Sequence, residues 1–160
     1  WRARRGAICG RVEIGQCQDV YLSPKHLFTA NFVGQSNMFQ SQKITRESGV
    51  VKANTAIGEI AIMVDDKRVS AEGFVMIRPE HVRLFQPKEA LSSYNQNVFH
   101  GTIASETFTG KLTEYSVQVG DRTIEVQMPV RIGYGRGVEV CIHLPPNHCI
   151  LLPHPVPEGL

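Results

Sequence analysis

The chain has 160 residues and a formal net charge of +2; 42% of its residues are hydrophobic and 20% are charged. This length suits one ordinary domain or two very small ones, and this composition excludes a wholly disordered chain. The charge is too small to bind nucleic acid by electrostatics alone, and there is neither a signal-peptide pattern nor an apolar run near the roughly 20 residues of a membrane-spanning helix, so we expect a cytosolic protein.

Helix signals occur near the start of the chain. A single turn is predicted over 18–22, ending before Ser23 because a residue that precedes proline avoids helical geometry. A second helix is predicted with Ser23 as N-cap, Pro24 in the first position and Gly34 as the C-terminal stop. Four apolar residues share one broad side of this second helix: Leu27, Phe28, Ala30 and Phe32. We expect that side to pack against another surface.

After Gly34 the apolar pattern changes to period two, which is typical of strands. Runs rich in Val, Ile, Phe and Thr predict strands over 37–42, 49–53, 57–62, 69–77, 82–85, 98–108, 112–119, 122–128 and 138–143. Gly120-Asp121 is the predicted tip of a hairpin, and the polar stretch 86–97 is the predicted linker between two groups of strands. Many short strands and few helices favour a mainly β fold, a small antiparallel barrel or sandwich.

Two segments of the chain resemble each other. GFVMIRPEHVRL (73–84) and GVEVCIHLPPNHCILL (137–152) both run from glycine through an apolar strand and a proline to a turn with histidine and a second apolar strand. Two related barrel-like units would produce this pattern.

Motifs for catalysis or metal binding are lacking in the sequence. SETFTGKL (105–112) has neither the first glycine nor the hydroxyl of a phosphate-binding loop, and no nucleophile elbow occurs. Four residues near the end could offer zinc ligands: Cys141, His143, His148 and Cys149. Their spacing matches no common zinc site, and the first two alternate with apolar residues as in a strand. We therefore predict no catalytic residue and no metal site.

Several ordered blocks resemble the ATP-binding subunits of bacterial ABC importers. YLSPKHLFTANFVGQSN (21–37) is similar to the junction that follows the nucleotide-binding domain in that family. The residues in register with the junction pattern are Tyr21, Pro24, Phe28, Ala30, Phe32, Gly34 and Asn37. Segments 73–82, 97–115 and 137–152 resemble the three signatures of the regulatory TOBE domain, and the first of them contains Arg78-Pro79-Glu80.

The resemblance implies that 1–36 is the end of an ATPase domain with a helical junction. It also implies that 37–160 is a TOBE-type regulatory β domain of two intertwined OB-fold-like units. The expected function is regulation and dimerisation of an importer ATPase, most closely of the polyamine or ferric-iron type. ATP and magnesium would belong to the parent protein, whose Walker motifs are not in this sequence, and no cofactor is expected in this part. The expected partners are a second copy, the ATPase domain and the membrane permease, at the cytoplasmic side of the inner membrane.

The alternative function is a module that senses a small ligand, an oxyanion or the transported substrate. Candidate ligand or regulatory contacts are Arg78, Glu80, Lys111, Arg131 and Arg136. For Arg78 and Glu80 a structural corner is the main interpretation and a regulatory contact the other. OB-like barrels often bind nucleic acid, but no strand here alternates aromatic with basic residues, so no nucleic-acid partner is expected.

Overall fold

The structure is a computed structural model that describes residues 15–47, 50–63, 72–88, 94–129 and 133–153. Two short helices, α1 (Cys17–Leu22) and α2 (Leu27–Phe32), precede the strands. The strands are β1 (Asn37–Glu47), β2 (Val50–Thr55), β3 (Gly58–Met63), β4 (Gly73–Ile77), β5 (Arg83–Phe85), β6 (Val98–Phe108), β7 (Leu112–Val119), β8 (Arg122–Pro129), β9 (Glu139–His143) and β10 (Ile150–Pro153). The predicted mainly β fold preceded by short helices is confirmed. Within the described ranges, no helix has the length and apolar character needed to cross a bilayer.

The second helix differs from its prediction. It begins at Leu27 rather than at Pro24, and its N-cap is His26, which makes no side-chain capping bond. Leu27 and Ala30 pack against the β domain as expected, whereas Phe28 and Phe32 are 73% and 78% exposed. A helix of two turns is too short to bury a side as broad as the one predicted, and the two phenylalanines stack on each other instead, with ring centroids 5.7 Å apart.

The strands form two five-stranded sheets, in which every pair is antiparallel. The first sheet has the order β10-β4-β1-β2-β3 and the second the order β5-β9-β6-β7-β8. Adding five to the strand numbers of β4-β1-β2-β3 gives β9-β6-β7-β8, the corresponding four strands of the second sheet, and the remaining edge strand is β10 in the first sheet and β5 in the second. Each sheet therefore takes one edge strand from the other half of the chain, because β5 joins the second sheet and β10 the first.

The two similar segments of the sequence are where the chain passes from one sheet to the other. We call residues 78–82, between β4 and β5, the first crossing turn, and residues 144–149, between β9 and β10, the second crossing turn. The first contains a 3-10 turn over Pro79–His81, closed by a bond from the Val82 N–H to the Pro79 carbonyl. The second is closed by the corresponding bond from the His148 N–H to the Pro145 carbonyl. The repeat seen in the sequence is thus a repeat of these two passages.

Strand boundaries follow the predictions closely in the second half. β6 and β7 have the predicted bounds, and the Gly120-Asp121 hairpin tip is confirmed, with Gly120 at φ +58°. β1 continues to Glu47, five residues beyond its predicted end, after a bulge between Ser41 and Lys43. The bulge lets the strand bend, so that its first half pairs with β4 and its second half with β2 alone. The predicted start of the 69–77 strand and part of the 86–97 linker lie outside the described residues.

One continuous apolar core fills the space between the sheets. Buried side chains from both sheets contribute to it, among them Ile60, Ile77, Ile124 and Ile142. Each such side chain stabilises the fold by about 1.5–3 kcal/mol through removal from water. A smaller cluster on the outer face of the first sheet packs Ala30 of α2 against Met76 and Leu152. β4 is therefore covered on both faces, which places the residue after it, Arg78, beneath the helices.

Candidate functional site

The guanidinium of Arg78 is the centre of the junction between the helices and the barrel. This side chain is only 1% exposed. Its Nη1 donates to the carbonyl oxygens of Ala30, Gly34 and Gln35 at 3.1, 3.0 and 3.2 Å and to Ser36 Oγ at 3.2 Å. Since Nη1 carries two hydrogens, these four acceptors share them in bifurcated bonds. The acceptors follow or end α2, where helical carbonyls lack partners within the helix.

A second set of contacts joins Arg78 to α1. Its Nη2 donates to the Tyr21 carbonyl at 3.0 Å, and its guanidinium lies 4.2 Å from the centre of the Tyr21 ring. A cation over an aromatic face is stabilised by the ring quadrupole. Arg78 thus binds the ends of both helices with one charged group, and only its Nε lacks a hydrogen-bond partner.

Glu80 reaches the same tyrosine from the exposed side. The Tyr21 hydroxyl donates to Glu80 Oε1 at 2.7 Å. The pKa of Tyr21 is raised, first by burial and then by its bond to the Glu80 carboxylate. Extended geometry would put Arg78 and Glu80 on one side of the chain. The backbone instead turns at Pro79–His81, and both residues still meet Tyr21, one at its ring and one at its hydroxyl.

The other predicted junction residues have distinct surroundings. Pro24 is buried between the helices, and Phe28 and Phe32 are exposed on α2. Gly34 lies against Tyr21, since a Cβ there would be 3.0 Å from the Tyr21 ring. Asn37 starts β1 and exchanges bonds of 2.8 Å with the main chain of Glu125 in β8.

Asn97 repeats the role of Asn37 in the other half of the barrel, and the sequence reasoning missed it. Its side-chain Oδ1 accepts a hydrogen bond from the Ala61 N–H in β3 at 2.7 Å. Its Nδ2 donates to the Ala61 carbonyl at 2.7 Å and to the Leu144 carbonyl at 2.8 Å. Ala61 and Glu125 each occupy the fourth position of their strand. Asn97 also has φ +54°, in the left-handed region that asparagine tolerates better than most residues. An asparagine opening each long strand was the available signal.

The remaining predicted cations do not join this junction. Lys111 is exposed at the tip of the β6–β7 hairpin, and Arg136 is exposed in the loop before β9. Arg131 lies outside the described residues. The loop that carries Arg136 is fixed by Glu106, whose Oε2 accepts the Gly135 N–H at 2.7 Å. The structure therefore brings Arg78 and Glu80 together and leaves the other two described candidates on separate loops.

The four residues weighed as zinc ligands do not converge. Across the described ranges, no group of three or more His, Cys, Asp or Glu residues is arranged to hold a metal ion. Cys141 Sγ lies 3.3 Å from His100 Nδ1 of the neighbouring strand. Cys149 is buried in the core, and this burial raises the pKa of its thiol to about 12. Both cysteines behave as packed side chains.

Two recesses open on the surface of the described part. The larger, about 530 Å³, follows β6 and β9 and is lined by polar residues that include His100, Thr102 and Glu139. The smaller, about 310 Å³, lies at the second crossing turn and is lined by Arg83, Tyr94, His143, Pro145, Pro146, Asn147 and His148. The sequence reasoning identified neither, because their walls come from strands distant along the chain.

Comparison with known proteins gives one family and a consistent set of relatives. Residues 75–152 match the TOBE domain family. The chain is 29% identical to the spermidine/putrescine import ATP-binding protein PotA of Thermotoga maritima over 112 residues, which are 69% of this chain and 30% of that protein. It is 26% identical to the Fe(3+) ions import ATP-binding protein FbpC of Haemophilus influenzae over 136 residues, 82% of this chain and 36% of that protein. The chain thus spans about a third of the length of these curated relatives.

A solved structure has the same type of fold. The cytoplasmic molybdate-binding protein ModG, crystallised with molybdate bound, superposes with a TM-score of 0.56 over 73% of this chain and 94% of its own, at 13% sequence identity. At that identity the similarity concerns the fold alone. The predicted OB-fold-like architecture of TOBE type is confirmed.

Proposed function

We propose, from the premise that residues 75–152 of this chain form a TOBE domain, that the chain is the regulatory and dimerisation part of an ABC importer ATP-binding subunit. The polyamine or ferric-iron type is favoured, since relatives of both types match the chain over more than two thirds of its length. In this proposal the parent protein binds ATP and magnesium and works with a membrane permease at the inner face of the inner membrane.

The observation that carries the proposal is the Arg78 network. A regulatory domain controls an ATPase domain only if a movement of one is transmitted to the other, and this requires a rigid contact at the junction between them. Arg78 supplies such a contact. It directly follows β4, and its buried guanidinium donates hydrogen bonds to carbonyl oxygens at the ends of both helices. In the proposed protein, movement of the ATPase domain and of the barrel would be transmitted through this contact.

Sedimentation equilibrium of the 160-residue chain tests the dimerisation half. We expect reversible association to a dimer at high micromolar concentration. The matched control is the Phe28→Ser/Phe32→Ser variant, which removes the exposed apolar pair on α2. Association through the barrel survives in this variant, whereas nonspecific contact through the phenylalanines does not. A chain that stays monomeric at every concentration contradicts the proposal.

A second candidate function is sensing of a small ligand, and the two recesses of the barrel favour it. Thermal unfolding with spermidine, ferric ion, sulfate, molybdate or 2-aminoethylphosphonate tests it. A ligand at 100 times its dissociation constant adds about 2.7 kcal/mol to the free energy of unfolding, which is readily measured. An unchanged melting temperature with all five ligands contradicts ligand sensing and leaves the dimerisation proposal intact.

A further inference from the structure

The recess at the second crossing turn combines a cationic mouth with an aromatic wall. Arg83 of β5 lies at the mouth with its side chain largely in solvent. Tyr94 stacks on the ring of His143 in β9, with centroids 3.9 Å apart, and the Phe85 ring lies 5.0 Å from that of Tyr94. Pro145 and Pro146 also line the recess. The packed rings and the prolines have little conformational freedom, which favours a preformed recess.

A buried hydrogen-bonding group in this recess lacks a partner. His143 is 6% exposed, and its Nδ1 makes no hydrogen bond within the described chain. A buried polar atom without a partner destabilises the fold, so such atoms in native proteins call for an explanation. Although the His143 ring lines the recess, its Nδ1 has almost no accessible surface, so a guest contacts the ring and not this atom.

Arg83 is the one charged side chain among the described residues that line the recess, and no carboxylate is among them. Behind His148 lies His81 of the first crossing turn, with the two rings stacked at 4.1 Å. Glu80 and Arg78 act on His81 from its own turn, and Glu80 is the one carboxylate among the groups that perturb it. This arrangement selects against cations and in favour of a negatively charged guest.

We propose that this recess binds a small organic anion, whose oxyanion group contacts Arg83 and whose flat or apolar body lies against Tyr94 and the two prolines. The volume of about 310 Å³ is at the lower end of small-molecule pockets and exceeds that of a bare oxyanion. The inference deepens the ligand-sensing function and rests on it, and it is independent of dimerisation.

Binding of such an anion is coupled to uptake of a proton. Burial, and then the charge of Arg83, lower the pKa of His143, and burial followed by His148 lowers the pKa of His81. Both shifts favour the neutral ring when the recess is empty. An anion near the rings favours their charged forms, so affinity rises as the pH falls below the usual histidine pKa.

Isothermal titration of the 160-residue chain with three probes tests the class of ligand. Benzenesulfonate carries a ring and an anion, sulfate an anion alone and benzyl alcohol a ring alone. The two anions keep a constant charge between pH 5.5 and 8, so any pH dependence belongs to the protein. We expect benzenesulfonate to bind at least tenfold more tightly than sulfate, benzyl alcohol not to bind, and benzenesulfonate affinity to rise severalfold from pH 8 to pH 5.5.

The matched variants are Arg83→Gln and Arg122→Gln, both at exposed arginines and the second in the distant β7–β8 hairpin. Arg83→Gln should weaken benzenesulfonate binding at least tenfold, His81→Gln should reduce its pH dependence, and Arg122→Gln should change neither. Equal loss in Arg83→Gln and Arg122→Gln, or no binding of any anion at pH 5.5, overturns the inference. If spermidine or ferric ion stabilises the chain while the anions do not, ligand sensing stands and this site fails.

Discussion

The two crossing turns occupy equivalent places in the barrel, but the side chains that start them make different contacts. Each begins with a buried residue followed by proline: Arg78, 1% exposed, in the first and Leu144, 0% exposed, in the second. Leu144 belongs to the apolar core, and its main chain is held by Asn97. Arg78 points away from that core to the helices. The residue that starts the turn thus belongs to the apolar core in the second half of the chain, and in the first half it connects the barrel to the two helices.

The difference between the two crossing turns shows which features of a repeated fold are the same in both halves and which can differ. Strand order, the paired asparagines and the closing hydrogen bonds of the turns are common to both halves. The side chain that starts each turn is not, because α2 packs on the outer face of the first sheet, next to Arg78. We expect substitutions at the common features to unfold the barrel and substitutions at the differing ones to release the helices.

The largest effect is expected for Asn97→Ala. The change leaves the Ala61 N–H and carbonyl and the Leu144 carbonyl without partners and puts alanine at a positive φ. We expect the free energy of unfolding to fall by about 3–5 kcal/mol. Asn37→Ala removes two hydrogen bonds and places alanine at an ordinary backbone angle, so the free energy of unfolding should fall by about 2–3 kcal/mol. Urea unfolding followed by circular dichroism measures both.

Asn97→Gly separates the two causes, since glycine accepts the backbone angle and still lacks the amide. It should recover about 1 kcal/mol relative to Asn97→Ala. If Asn97→Ala costs no more than Asn37→Ala, the two asparagines are equivalent in energy as well as in position, and the left-handed angle contributes nothing.

The next largest effect is expected for Arg78→Leu, which gives the first turn the residue of the second. The carbonyls at the ends of both helices lose their common donor, although water can reach some of them once the helices move. We expect a loss of about 2–4 kcal/mol, with the helices released and the sheets retained. Hydrogen exchange of the α2 amides and of β1 measures each part separately.

Arg83→Leu is the matched control for this substitution, because Arg83 lies on the same segment with its side chain exposed. It should change the free energy of unfolding by less than about 0.5 kcal/mol. Full protection of α2 in Arg78→Leu would show that the apolar contacts of Ala30 with Met76 and Leu152 hold the helix by themselves.

Sequence patterns predicted the parts of this structure that depend on local chemistry. Period-two runs located β6 and β7 to the residue, and Gly120 located the hairpin, because alternation and positive φ are local properties. Pro24 gave a wrong start to α2, since packing on the first sheet decides which residues become helical. The exposure of Phe28 and Phe32 was missed for the same reason.

The site depended on contacts between distant segments, and these were predicted only in part. The resemblance selected Arg78 and Tyr21 as separate motifs, but their contact spans 57 positions along the chain. His81 and His148 could be matched through the repeat, and yet nothing in the repeat placed their rings in contact. Tyr94 came from a stretch interpreted as linker, where a lone aromatic residue has no periodic signal.

A smaller effect is expected on lowering the pH, through one histidine of the first crossing turn and one at the end of β9. Since the pKa values of His81 and His143 lie below the usual 6.5, the unfolded chain binds more protons in that window. Their contribution to stability is complete above pH 6.5 and is lost as the pH falls through the lowered values. The free energy of unfolding should therefore be lower at pH 5.5 than at pH 7.5.

His81→Gln should flatten this pH dependence, and His26→Gln, at an exposed histidine before α2, should leave it as it is. An unchanged slope in His81→Gln would show that the contact between the turns does not respond to pH. Benzenesulfonate at saturating concentration should also reduce the slope, since the bound anion stabilises the charged rings.

The smallest effect is expected for Tyr21→Phe. Phenylalanine keeps a ring beneath the Arg78 guanidinium and loses the hydroxyl bond to Glu80, which lies at the surface. We expect a cost below about 1 kcal/mol, because an exposed hydrogen bond is replaced by bonds to water. Tyr21→Leu removes the ring as well and should cost more. If Tyr21→Phe is as damaging as Arg78→Leu, the exposed Glu80 contact holds the helices, and the buried guanidinium that distinguishes the first turn from the second does not.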